Sequence, residues 1–263
     1  MDKTEILRRC AKNEDERLLA ARILDQLDAC LRKNVPTHTH FLSGGEQLVA
    51  ERLLGAAGHP KSVFWGGFEG AERRVLFFLP DYLDAPPRGE SSPIGGLRAS
   101  FPPDAGLSHR DFLGAVLSLG ITREKLGDLL VEEDCCHILL LRDVLPYLLE
   151  NFEKSGRARL HLAEEDPAAL TPPVPKTHTV RDTVATLRLD SVVASGFSLP
   201  RGRAAALVTS QKVTLNHAPC EKADRAVSEG DVITVRGLGK CVLREVGGTS
   251  RKGRICIVLE RWL

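Results

Sequence analysis

The stretch from Leu187 to Asn216, LRLDSVVASGFSLPRGRAAALVTSQKVTLN, predicts a helix, a tight connection, a second helix and a strand. Each predicted helix carries one apolar stripe, the first at Leu189, Val192, Val193 and Phe197 and the second at Ala204, Leu207 and Val208. The two stripes are expected to pack together, with Arg188 beginning the first helix. Pro200 suits a first helical position, which places Arg201 and Arg203 in the first turn of the second helix.

The end of this stretch and the sequence after it predict strands. Val213 to Leu215 alternates like a half-buried strand, and Asn216 suits the turn that follows. The runs CVLREV (241–246) and RICIVLE (254–260) flank GGTSRKG (247–253). These two runs predict a hairpin whose tip is rich in glycine and positively charged.

Charge is distributed unevenly along the chain. The 263 residues carry a formal net charge of +1, which by itself indicates no polyanionic partner. Residues 176–263 contain 15 Lys and Arg against 8 Asp and Glu, a net charge of +7. The remaining 21 Lys and Arg against 27 Asp and Glu give residues 1–175 a net charge of −6. The basic last third is therefore the part expected to bind nucleic acid.

The upstream sequence predicts two further domains, which makes the fold class α+β. Residues 1–72 form a mainly helical N-terminal domain, because amphipathic helical patterns fill most of residues 1–60. In residues 73–165, short strand-like runs alternate with two helical segments, which favours an α/β plait like that of an RNA-recognition motif. The plait lacks evident stacking aromatics, since Phe77 and Phe78 sit in a run apolar enough to be core. Dense prolines predict a stiff linker over 166–181, and the basic domain spans 182–263.

The pattern of RLD, an arginine-led second helix and KVTLN resembles the S4-type αL RNA-binding domain, named after a ribosomal protein. SEGDVITVRGLGK (228–240) resembles the later part of that domain, and the run 249–254 is similar to that of one subgroup, the YlmH-like bacterial RNA-binding proteins. THFL (39–42), GGF (66–68) and SHRDFLGAVLSLGITREKLGD (108–128) extend this resemblance over nearly the whole chain.

The resemblance implies a non-enzymatic protein that binds structured rRNA or tRNA on the large ribosomal subunit, in ribosome-associated translation quality control. Peptidyl-tRNA is a further candidate partner. The residues implied to face RNA are Arg188, Arg201, Arg203, Lys212, Asn216, Lys240, Arg251, Lys252 and Arg254. Guanidinium groups suit this role because their planar fork matches phosphate oxygens. The alternatives are an RNA-modifying enzyme, either pseudouridine synthase-like or a methyltransferase, and a factor associated with cell division.

The catalytic motifs in the sequence are incomplete. His109-Arg-Asp111 is similar to a kinase catalytic loop, but the asparagine that binds metal there would fall at Val116. Pseudouridine synthases place a catalytic RLD in a body after their S4-type domain, whereas Asp190 lies within the matched motif. Asp190 is therefore expected to pair with a neighbouring arginine or backbone group, and Ser108 is expected to cap a helix that begins near His109.

Cofactor and metal sites are not predicted. The seven cysteines form no C-x-x-C pair, and no histidine is expected at ligand spacing to any of them. The odd cysteine number and the charged N-terminus favour a reducing cytoplasm. No run approaches the roughly 18 apolar residues of a membrane span. We expect a monomer without a membrane partner.

Two positions depart from the S4-type pattern. Pro200 replaces a serine that could cap the second helix, and Ser198 is the candidate substitute cap. Gln211 replaces a glycine that ends the helix. This replacement predicts either a strained residue or a different helix exit, and the position of Lys212 depends on which of the two occurs.

Overall fold

The structure is a computed structural model that describes residues 3–173 and 177–262. The chain forms two compact units, Met1–Pro173 and Val174–Leu263. Both units combine helices with sheets, which confirms the α+β prediction. None of the helices in the described residues has both the length and the apolar content needed to cross a membrane.

The first unit begins with three helices packed on a three-stranded sheet. The helices are α1 (Lys3–Cys10), α2 (Glu14–Lys33) and α3 (Gly44–Ala56), and the strands are β1 (Thr37–Leu42), β2 (Ser62–Trp65) and β3 (Arg74–Phe78), in the order β1-β3-β2. α2 is well delimited, because Asn13 caps its start and Asn34 ends it in the left-handed conformation. α3 begins with a capping box between Ser43 and Glu46.

Strand β3 corrects the predicted division at residue 72. The sequence analysis grouped residues 74–78 with the plait, but β3 pairs with β1 and β2. Its alternating side chains explain why, since Leu76 and Phe78 join the core under the helices while Val75 and Phe77 face a second core. Phe77 and Phe78 are fully buried, which confirms that they are core residues.

The second half of this unit is the predicted plait. Its elements follow the order β4 (Ile94–Ser100), α4 (His109–Ser118), β5 (Leu126–Val131), β6 (Cys135–Leu141), α5 (Leu145–Asn151) and β9 (His161–Glu165), with the short hairpin β7 (Lys154–Ser155) and β8 (Ala158–Arg159) before β9. The strands form one antiparallel sheet in the order β5-β6-β4-β9, the arrangement of a βαββαβ plait. α4 starts as predicted, with Ser108 N and Oγ donating to Asp111 Oδ2 at 2.8 and 2.6 Å.

The connection between the two units is shorter than the sequence predicted. Pro167 is buried, and residues 167–169 form a 3-10 turn in which Pro167 packs beside Gly67 and Gly96. At the other end, Thr177 already belongs to strand β10 (Thr177–Val184). Proline thus begins a packed turn at 167, and part of the predicted linker, residues 174–176, lies outside the described residues.

The second unit packs two helices against a six-stranded antiparallel sheet. The helices are α6 (Leu189–Gly196) and α7 (Arg201–Thr209), and the remaining strands are β11 (Val213–Leu215), β12 (Ala218–Pro219), β13 (Val232–Val235), β14 (Gly239–Thr249) and β15 (Ile255–Trp262). The sheet order is β10-β15-β14-β13-β11-β12. Both predicted apolar stripes enter one core, where Leu189 and Val192 of α6 meet Ala204 and Val208 of α7. The predicted helix–helix–strand succession is confirmed.

Candidate nucleic-acid interface

The start of α6 is built around a buried carboxylate. Asp190 lies in the first turn of α6 and is only 4% exposed. Arg188, the N-cap residue, donates from Nε to Asp190 Oδ1 and from Nη2 to Asp190 Oδ2, both at 3.2 Å. The backbone is tied to the loop before β13, because Leu189 N donates to Arg225 O at 2.8 Å. The predicted pairing of Asp190 with an arginine is confirmed.

Arg201 joins the same carboxylate from the neighbouring helix. Its Nε donates to Asp190 Oδ2 at 3.3 Å, while 55% of its side chain remains exposed. Burial opposes the ionisation of Asp190, but the hydrogen bonds from Arg188 and Arg201 outweigh it and hold the pKa of the carboxyl below its ordinary value. The two guanidinium groups are therefore fixed side by side, with their other N–H donors left for a ligand.

The connection between α6 and α7 leaves the second helix without a side-chain cap. Ser198 adopts φ +52°, and Leu199 N donates to Ala194 O at 2.9 Å, so Ser198 ends α6 in a Schellman motif. The expectation that Ser198 caps α7 is wrong, because its left-handed backbone serves the preceding helix. Pro200 is the N-cap residue of α7 and provides no side-chain hydrogen bond. The N–H groups of the first turn of α7 remain available for an anion.

Arg203 and Lys212 lie at opposite ends of α7. Arg203 is exposed in the first turn, and no described residue accepts a hydrogen bond from its side chain. At the far end, Gln211 has φ +58°, so of the two predicted alternatives the chain adopts the strained residue. Gln211 N donates to Val208 O and Lys212 N donates to Leu207 O, both at 3.0 Å. This second Schellman motif fixes the backbone of Lys212 and leaves the residue exposed.

Asn216 has a structural role in the turn between β11 and β12. Its Nδ2 donates to Asp231 Oδ1 at 2.8 Å, and its Oδ1 accepts from Val232 N at 2.9 Å. Asn216 and His217 both have positive φ, as a two-residue type I′ hairpin turn requires. The resemblance implies that the Asn216 amide contacts RNA, but both its nitrogen and its oxygen already form hydrogen bonds within the protein.

The remaining candidate residues divide between two ends of the sheet. Lys240, near the start of β14, holds its Nζ 4.8 Å from the Trp262 ring centroid. Arg251, Lys252 and Arg254 lie beyond the other end of β14, which spans 11 residues or about 33 Å. Arg254 donates from Nε to Thr183 Oγ1 at 3.0 Å, whereas Arg251 and Lys252 are exposed at the hairpin tip. The structure therefore separates the tip cations from Lys240.

One basic residue near Lys212 escaped the sequence analysis. Arg236 is exposed at the end of β13, and its backbone N donates to Lys212 O at 2.8 Å. The pairing of Val213 with Val235 brings these two cations to the same end of the sheet. The strand register therefore brings Lys212 and Arg236 close together. In the sequence, such a pair is indicated by one basic residue immediately before a strand and a second one immediately after its partner strand.

A potential metal-ligand group on the β5–β6 hairpin was not predicted from the sequence. Glu132, Cys135 and His137 of the plait bring ligand atoms within 4.8 Å of one another. The expectation that no histidine has ligand spacing to a cysteine is therefore wrong. The sequence signal is Glu-x-x-Cys-x-His, in which the cysteine and the histidine lie two residues apart and share one face of a strand.

Comparisons with known proteins match both parts of the chain for which the sequence predicts RNA binding. The family "Putative RNA-binding domain in YlmH" matches residues 103–168, and the S4 domain family matches residues 187–233. The chain is 28% identical over 224 residues to the "Ribosome-associated protein quality control protein P2" of Bacillus subtilis strain 168, covering 85% of this chain and 86% of that protein. A solved structure titled "Cell division protein ylmH from Streptococcus pneumoniae" shares the fold, with a TM-score of 0.50 and 19% identity over 59% of this chain and 93% of that chain.

Proposed function

We propose that this chain, a YlmH-type protein with an S4 domain, binds structured RNA of the large ribosomal subunit as a monomer in ribosome-associated quality control. The similarity to a relative named for ribosome-associated quality control supports the setting. The two matched RNA-binding families support the ligand class. The same proposal places the protein in the cytoplasm and makes peptidyl-tRNA on the subunit a further partner.

The observation that carries the proposal is the arginine pair held by Asp190. Arg188 and Arg201 share one buried carboxylate, so their guanidinium planes are positioned before any ligand arrives. This pre-organisation reduces the side-chain entropy lost on binding. The uncapped first turn of α7 adds N–H donors and the positive end of a helix dipole beside Arg201 and Arg203.

This surface suits the backbone of folded RNA. RNA helices present phosphates and 2′-hydroxyl groups along a wide, shallow minor groove, which a rigid helical surface can recognise by shape. Arginines donate bidentate hydrogen bonds to phosphate oxygens, and helix N–H groups bind the same oxygens. Lys212 and Arg236 extend the positive charge to one end of the sheet. We propose binding through phosphates and ribose rather than through base edges.

Binding without catalysis is the proposed mode of action. Asp190 occupies the RLD motif shared with pseudouridine synthases, but two arginines engage its carboxylate and burial shields it. A nucleophile needs an accessible lone pair directed at the substrate. The geometry of Asp190 supports a positioning role, in which it holds the RNA-facing arginines.

Co-sedimentation with ribosomal subunits tests this function through Arg201→Gln. The substitution removes one guanidinium without placing a second carboxylate beside Asp190. We expect about 10- to 100-fold weaker association, because a hydrogen bond to a charged group contributes about 1.5–3 kcal/mol. Arg17→Gln, on the exposed face of α2, changes the net charge equally and should alter association less than about twofold.

The ribosomal subunit that co-sediments with the protein tests the proposed binding to the large subunit. The proposal is supported if the wild type co-sediments with the large subunit and Arg201→Gln weakens this association. Wild-type association of a folded Arg201→Gln protein, or equal losses for Arg201→Gln and Arg17→Gln, would contradict the assigned surface. Loss of one modified nucleotide from total RNA of a deletion strain, measured by mass spectrometry, would instead favour an RNA-modifying enzyme.

A further inference from the structure

The hairpin between β5 and β6 brings together three side chains that the RNA surface does not use. Glu132 follows β5, and its backbone N donates to Cys135 O at 2.8 Å, which closes a tight turn over residues 133 and 134. His137 lies two residues after Cys135 on β6, so both side chains point to the same face of the sheet. Cys136 points to the opposite face and belongs to the core under the plait helices.

Two of the three separations between the ligand atoms are those of a tetrahedral metal site, and all three are within 4.8 Å. Cys135 Sγ lies 3.6 Å from His137 Nε2, and that nitrogen lies 3.5 Å from Glu132 Oε1. Zinc binds sulfur at about 2.3 Å and nitrogen or oxygen at about 2.0–2.2 Å, so neighbouring tetrahedral ligands lie about 3.3–3.6 Å apart. The two measured edges agree with this geometry without any movement of the backbone.

The second nitrogen of His137 is held as it is in many metal sites. His137 Nδ1 lies 2.8 Å from Glu165 Oε2 and 3.0 Å from Glu165 Oε1. A carboxylate that accepts the Nδ1 proton leaves Nε2 with a free lone pair directed at Cys135 and Glu132. His137 has only 13% of its side chain exposed, so the ring is fixed in this orientation.

Gly96 permits the reach of Glu165 across the sheet. Glu165 on β9 and His137 on β6 are separated by β4, where Gly96 pairs with Glu165. A Cβ atom at Gly96 would lie 2.8 Å from Glu165 O and 2.9 Å from Glu165 Cγ. The missing side chain therefore leaves room for Glu165 to lie over β4. With Gly96 included, this arrangement involves five residues from three strands and the hairpin turn.

We propose that Glu132, Cys135 and His137 bind a zinc-class divalent ion, oriented by Glu165, with a fourth position open to water. Thiolate, imidazole and carboxylate together select a borderline-soft ion such as Zn²⁺ over Mg²⁺ or Ca²⁺, which prefer oxygen ligands. A simple ion pair between His137 and the glutamates would not involve sulfur. Here Cys135 Sγ supplies the third ligand atom of the site. The bound ion would fasten the β5–β6 hairpin.

Metal content and cobalt substitution test the site in the full, untagged chain. After removal of metal and exposure to limiting Zn²⁺, we expect one zinc per chain by elemental mass spectrometry. Co²⁺ in place of zinc should give tetrahedral d–d bands and a thiolate-to-cobalt charge-transfer band in the near ultraviolet. Cys135→Ser should abolish the charge-transfer band. Cys136→Ala and Cys220→Ser should retain it, because these sulfurs lie in the plait core and in the other unit.

The two glutamates and the histidine provide further variants that leave the core intact. His137→Gln and Glu132→Gln should lower Co²⁺ affinity, and Glu165→Gln should lower it by about 10- to 100-fold through loss of ring orientation. Thermal melting, with and without Zn²⁺, should show stabilisation in the wild type and none in His137→Gln.

Several outcomes would overturn the site. These are absence of the charge-transfer band in the folded wild type, its loss in Cys220→Ser instead of Cys135→Ser, or unchanged affinity in both His137→Gln and Glu165→Gln. RNA binding through the second unit is measured separately, so failure of the metal site leaves the proposed function intact.

Discussion

At the residue scale, Asp190 links the stability of the second unit to its proposed ligand. The carboxylate accepts from Arg188 and Arg201 and is nearly fully buried. Its removal leaves both guanidinium groups without their common acceptor. For Asp190→Ala we expect a loss of about 1–3 kcal/mol in the free energy of unfolding, measured by urea denaturation.

RNA binding by Asp190→Ala separates positioning from net charge. The substitution raises the net charge of the protein by one, which by itself strengthens attraction to a polyanion. Weaker RNA binding by the variant therefore requires that Asp190 position the arginines. Glu245→Ala, on the exposed part of β14, makes the same charge change and should bind as tightly as the wild type or more tightly. Equal affinity of both variants would show that the arginines need no anchor.

The same carboxylate predicts a pH dependence of stability. The pKa of Asp190 is lowered on folding from the ordinary value of 3.8, so its stabilising contribution is fully present above that pH. The contribution disappears as the pH falls through the lower folded pKa. The difference in unfolding free energy between wild type and Asp190→Ala should therefore be constant near neutrality and shrink below about pH 4. A difference that grows in acid would contradict the proposed pairing.

At the element scale, the exit of α7 stores backbone strain at Gln211. Its φ of +58° is the conformation that glycine adopts without cost, and a Schellman motif holds it there. For Gln211→Gly we expect a gain of about 0.5–1 kcal/mol in thermal or urea stability, because relief of about 1–2 kcal/mol exceeds the added chain entropy. Ser210→Gly is the matched control, since φ −86° at Ser210 carries no such strain and glycine there should destabilise.

Helices and strands with long periodic patterns could be predicted from the sequence. Which strand or helix each of them contacts was harder to predict. The α6–α7 pair and the β14–β15 hairpin follow from apolar periodicity and from a glycine-rich turn, both of which are local signals. β3 was assigned to the plait because sequence order brings it next to β4, but its pairing with β1 depends on contacts far apart in the chain. Ser198 was misread for a related reason, since the φ of one residue decides which helix it serves.

At the scale of the whole molecule, sequence charge located the proposed RNA-binding unit but not the arrangement of its cations. The +7 region coincides with the second compact unit, as composition alone indicated. The division of the candidate residues between the Asp190 cluster and the distant hairpin tip depends on the length and register of β14. The proposed metal-ligand cluster could not be predicted for the same reason, because a turn and a strand face bring Glu132, Cys135 and His137 together.

The separate cores predict that the second unit folds alone and carries most of the RNA affinity. All the buried residues of its core lie between Val184 and Leu259, while those of the first unit's cores lie between Ile6 and Leu160. We expect residues 174–263 to unfold cooperatively in isolation. Their RNA affinity should fall log-linearly with salt, with a slope of about −0.9 for each duplex phosphate neutralised. Arg201→Gln should reduce that slope by about one, and equal RNA affinity in residues 1–173 alone would contradict the assignment.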